Sequence, residues 1–140
     1  MERYNYFENA VKVIDKIDEY EWSPIILNKI LPKNIVEVIS YYDTVIKESD
    51  SNELGLAFVQ YEYDFWLDEN DNTVSSDYAL IFFIKYKENE ILRPLLFMDS
   101  KEYNTFLYEN DKDFSNYSLA DVIRKITEID VDLDDLFKGI

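Results

Sequence analysis

Glu62 and Asp64 stand two residues apart in the run Tyr61-Glu62-Tyr63-Asp64-Phe65. On an extended strand that spacing sets two carboxylates on one face, about 6–7 Å apart. Glycoside hydrolases use a similar separation, but they also need a sugar cleft, usually in a larger fold, so the pair reads as a polar strand face. A second candidate, Asp68-Glu69-Asn70-Asp71-Asn72, puts oxygen-bearing side chains at positions 1, 3 and 5 of a calcium loop. Its sixth position is Thr73 instead of Gly and its twelfth is Ala79 instead of Glu. Both diagnostic positions fail, and the run reads as a solvated hairpin tip. Asp130, Asp132, Asp134 and Asp135 reach the end of the sequence before such a loop is complete. They read as a solvated tail or part of a binding face.

Other chemistries are excluded by composition. The chain has no His and no Cys. The usual zinc sites, Ser-His-Asp triads and Cys-His pairs therefore cannot be assembled. Its two glycines, Gly55 and Gly139, cannot write a phosphate loop or a dinucleotide fingerprint. The expectation is a protein that is not an enzyme, with no catalytic residues, no metal and no cofactor.

Charge is the strongest anomaly. Thirty acidic residues against 14 basic ones give a formal charge of −16, where a small domain ordinarily carries a magnitude of about 2–8. Such a field repels nucleic acid and anionic membranes and attracts basic proteins, although solubility alone also favours it. Between Lys47 and Lys85 there is no Lys or Arg, while Glu48, Asp50, Glu53, Glu62, Asp64, Asp68, Glu69, Asp71 and Asp77 all fall there. These acids are expected to gather on one side of a sheet and steer a basic partner. Tyr61, Tyr63 and Phe65 share one strand parity and are assigned to the core. Trp66 falls on the other parity, with Glu62 and Asp64, and is the candidate contact ring. The predicted partner-binding set is Glu62, Asp64, Trp66, Asp68, Glu69, Asp71 and Asp77.

The elements that must hold this surface follow from periodicity. Tyr6, Phe7, Ala10, Ile14 and Ile17 recur at helical spacing. Ser23-Pro24 opens a short helix to Leu31, and Pro32 stops it. Asn34 with Glu37 forms a capping-box pattern ahead of the stripe Ile35, Val38, Ile39, Tyr42 and Ile46, which predicts a helix over 34–47. The period then changes. Val59–Phe65 alternates as a strand with one wet face. Tyr78–Tyr86 is apolar on both faces and belongs in the middle of a sheet. Ile91–Met98 is a third strand, sent to an edge or bulge by Pro94. Asp99 with Glu102, and Ser118 with Asp121, then cap two further helices.

The expected fold is α+β: a three-stranded antiparallel meander sheet flanked by N-terminal and C-terminal helices. Residues 1–140 form a single domain, helical over 1–48, stranded over 54–98 and helical over 99–129. The acidic tail, 130–140, has Leu133, Leu136 and Phe137 as anchors. No basic-then-apolar leader is visible, and no apolar run approaches the roughly 20 residues of a membrane span. A cytoplasmic protein is expected.

A basic protein partner fits two classes: a toxin nuclease whose cleft is lined with Lys and Arg, or a nucleic-acid-binding protein blocked by a mimic. The stretch Asn34–Lys47, then Leu54-Gly55-Leu56-Ala57-Phe58, an acidic aromatic strand, two more strands and a closing helix resembles bacterial immunity proteins. These neutralise toxins of contact-dependent growth inhibition and related polymorphic toxin systems. The resemblance covers residues 34–129 in size, charge and layout. It implies a cognate-specific inhibitor, without activity of its own, of a basic toxin nuclease. The alternatives are a nucleic-acid-mimicking inhibitor of phage or mobile-element origin and a small cytoplasmic regulatory binding domain. None of these readings involves direct nucleic-acid or membrane contact, and the oligomeric state is left open.

Overall fold

The computed structural model describes residues 2–69 and 71–130, without the side chains of Leu67, Asp71, Asn72 and Asp130. The tail 131–140, with Leu133, Leu136, Phe137 and its aspartates, lies outside the described residues. Helix α1 (Arg3–Asp15) is followed by two 3-10 turns, Ile17–Glu19 and Asn28–Ile30. Strands β1 (Ile35–Glu48), β2 (Asn52–Asp68), β3 (Asp71–Tyr86) and β4 (Leu92–Asp99) come next, then α2 (Ser100–Glu109), α3 (Phe114–Tyr117) and α4 (Leu119–Asp130). The fold is α+β with an open antiparallel sheet in the order β1-β2-β3-β4.

The sheet has four strands, not three, because residues 35–48 are extended. Nine of the 14 residues of β1 are β-branched or aromatic, a composition suited to a pleated surface. What imitates a helix is a set of bulges. The register with β2 skips Val36, Ile39 and Ile46. Each extra residue stretches the strand period from two to three. Ile35, Val38 and Tyr41 therefore reach the same face at intervals of three and read as a helical stripe. The helix expected over 23–31 is also absent. Ser23 instead pairs with Asp43 on the outer side of β1 through two backbone hydrogen bonds of 2.8 and 3.0 Å.

That pairing carries the chain around the margin of the sheet. Tyr20 and Trp22 pack on the helix side, the latter 5.7 Å from the Phe58 ring. Leu27, Ile30 and Leu31 pack on the other side, and the Asn28–Ile30 turn reaches β4. The sheet is thus covered twice. Leu56, Phe58, Leu80, Phe82 and Met98 meet Phe7, Ala10 and Ile14 of α1, Tyr103 and Leu107 of α2, and Val122 and Ile126 of α4. Ala57, Val59, Ala79, Ile81 and Phe83 lie under the strap formed by residues 24–34. This accounts for the two-sided apolarity of Tyr78–Tyr86.

The local caps follow the sequence. The Asp99 carboxylate accepts the Glu102 amide at 2.9 Å and starts α2. Ser118 Oγ accepts the Asp121 amide at 3.3 Å and donates to Asp121 Oδ2 at 2.6 Å, which starts α4. Pro94 lies on edge strand β4 next to a register shift, since Leu95 has no partner between Phe82–Leu96 and Phe83–Pro94. Among the described residues no helix is long and apolar enough to cross a membrane.

Candidate functional site

Strands β2 and β3 outrun their neighbours. The register of β1 begins at Ile35 opposite Tyr63, and that of β4 ends at Asp99 opposite Ala79. Beyond those points β2 and β3 continue as a two-stranded arm, residues 64–74, closed by the Asp68–Asp71 pair. Among the described residues no third strand flanks the arm in the sheet. Phe65 is 46% exposed, Trp66 61% and Val74 51%.

Residues paired across an antiparallel ladder share a face. Glu62 with Ser76 and Asp64 with Val74 therefore occupy one face of the arm and its root, and Trp66, of the same parity, shares it. Val74 is the diagonal neighbour of Trp66, within reach of its ring. Tyr63 with Ser75 and Phe65 with Thr73 occupy the other face. Phe65 keeps its expected parity with Tyr61 and Tyr63, but it is not a core residue. The covering layer stops before reaching it, whereas Tyr61 is buried.

The predicted acids divide by position. Glu62, Asp64, Asp68 and Glu69 lie on the arm or its root, Glu62 half-buried and the other three exposed. Asp71 opens β3 on the arm, and its side chain lies outside the described residues. Asp68, Asp71 and Asn72 are strand ends rather than members of a ligand loop. Among the described residues no group of three or more Asp or Glu is placed to hold a metal ion.

Asp77 faces the other way, opposite Tyr61. It accepts the Tyr78 amide at 2.7 Å and the Ser100 hydroxyl, tying β3 to the start of α2. Glu48, Asp50 and Glu53 sit at the far end of the sheet, where Glu48 pairs with Lys87 and Glu53 lies opposite Lys85. From Glu53 to Asp68 the strand runs about 50 Å, against a screening length of about 8–10 Å. The nine acids of the base-free interval therefore do not sum to one field. They form two groups, with Asp77 apart on the opposite face, and only the arm group combines carboxylates with exposed rings.

Two features were missed by sequence reasoning. Tyr41, buried, donates its hydroxyl to Asp43 Oδ2 at 2.5 Å. Burial pushes both groups above their ordinary values, and in Tyr41 the hydrogen bond to the carboxylate adds to the effect. The pair sits where Ser23 joins β1 through the backbone of Asp43. The alternation Tyr41, Asp43 was the available signal, hidden by the helical reading of the segment.

The second is a groove of about 550 Å³ at the end of the sheet away from the arm. Tyr6 and Val13 of α1, Tyr20, and Ile46, Leu54, Phe82, Ile84 and Leu95 of the sheet line it, with Asn9, Lys12 and Lys47 as its polar residues. Helix α1, Tyr20 and all four strands build it, and no local pattern announces it.

Comparisons with protein-family models, with curated proteins and with solved structures gave no match.

Proposed function

We propose that this chain is an immunity-type inhibitor that binds a basic protein, a toxin nuclease, through the β-hairpin arm, and that it carries out no catalysis. The observation that supports this reading is the arm itself. Residues 64–74 carry Asp64, Asp68, Glu69 and Asp71 with no Lys or Arg, beside the exposed Phe65, Trp66 and Val74. Carboxylates would steer the encounter, and buried rings would slow release. Exposed rings among the acids favour a protein partner over imitation of a phosphate backbone, which offers no apolar surface of this kind.

The test is co-expression with the gene immediately upstream. The wild-type chain is expected to restore growth when that gene alone is toxic. A variant with residues 64–74 replaced by a tight turn is expected to fold and fail to restore it. Failure of the wild type, or full protection by the arm-less variant, contradicts the proposal. With the purified partner, charge reversal at Asp68 and Glu69 should slow association and flatten its salt dependence, and Trp66→Ala should mainly speed dissociation.

A further inference from the structure

The groove lies where cations concentrate in a strongly acidic chain. Reading across the four strands, Lys47 lies opposite Leu54, Leu54 opposite Ile84, and Ile84 opposite Arg93. One row on the helix face thus runs cation, apolar, apolar, cation. Helix α1 crosses above it and adds Lys12 at the rim, held 3.7 Å from Glu8. Lys47 and Arg93 are exposed and make no ion pair with the described residues. Eight of the eleven lining residues are apolar or aromatic, and Asn9 adds a donor and an acceptor beside Lys12. A volume of this size, mostly apolar with a few convergent polar groups, is that of a small-molecule site.

We infer that this groove binds a small molecule with an apolar body and a single carboxylate head. The body would lie on Leu54 and Ile84 beside Tyr6, and the head would be met at one end of the row by Lys47 with Lys12, or at the opposite end, about 14 Å away across three strand spacings, by Arg93. Apolar burial supplies affinity without direction. The flanking cations select an anion over an alcohol or an ammonium of the same length, since a charge-assisted hydrogen bond is about twice as strong as a neutral one. The inference is independent of the arm and of any toxin.

The experiment is calorimetric titration of the full chain with decanoate, decanol and decyltrimethylammonium. Decanoate is expected to saturate at one equivalent, decanol to bind at least about tenfold more weakly, and the ammonium not to bind. The double variant Lys47→Glu/Arg93→Glu should weaken decanoate by at least about tenfold with its melting temperature unchanged, both residues being on the surface. Ile84→Trp, which fills the floor, should abolish binding of decanoate while Lys47 and Arg93 remain. Absence of saturable decanoate binding, equal binding of the three probes, or unchanged decanoate affinity in the double variant would each overturn the inference.

Discussion

The two ends of the β2–β3 hairpin are made from the same two strands and could hardly differ more. At the open end, near Asn52 and Tyr86, all four strands are paired, α1 lies overhead, and acids meet bases: Glu48 with Lys87, Lys85 with Glu90. At the arm end, two strands continue with acids and exposed rings, and residues 64–74 contain no Lys or Arg. The change falls at Asp77 in β3. After it, the strand is apolar on both faces because both are covered; before it, the strand is polar except for Val74. A two-stranded ribbon has little stability of its own. Rings left exposed on it therefore contribute little to folding, and that is what makes them available for recognition.

This contrast can be broken experimentally. The largest effect belongs to the covered body. Phe82, 1% exposed between α1 and the sheet, should cost about 3–5 kcal/mol when replaced by Ala in urea unfolding. Gly55→Ala should cost about 1–3 kcal/mol by the same measurement, because an added Cβ would run into the Phe83 ring. Removing the α2 cap with Asp99→Ala should cost about 1 kcal/mol.

Asp43 gives a smaller, pH-dependent effect. Burial raises its folded pKa above the ordinary 3.8, so the folded state holds the proton more tightly. Its penalty is absent below the unfolded value and grows as pH rises through the folded one. The melting temperature of Asp43→Asn relative to wild type should therefore increase from pH 3 to pH 7. The smallest effect is expected on the arm, where Trp66→Ala should change stability by no more than about 0.5 kcal/mol. A loss comparable to that at Phe82 would mean that the arm belongs to the body and that the contrast is false.

What could be read from the sequence was local. Asp99 with Glu102 and Ser118 with Asp121 announce their helices because a cap and its acceptor lie three residues apart. The parity of Trp66 with Glu62 and Asp64 was legible because a strand period of two needs no tertiary information. Segment 35–48 was misread because bulges at Val36, Ile39 and Ile46 rewrote that period. Phe65 was misplaced because no residue of β2 records where the covering layers stop. The gathering of nine acids failed for a geometric reason: neighbours in sequence become distant once a strand is long and straight. The groove was invisible because four of its residues come from α1, one is Tyr20, and the other six are spread over four strands.

The irregularities of the two outer strands have a consequence for how copies of this molecule coexist. Beyond its bulges, β1 has part of its outer side already occupied by Ser23, and β4 carries Pro94 beside a register break. Neither margin offers the long regular row of free amides and carbonyls that templates edge-to-edge aggregation. Polymers joined through β1 or β4 are therefore disfavoured, and mutual repulsion between chains of charge −16 reinforces that resistance.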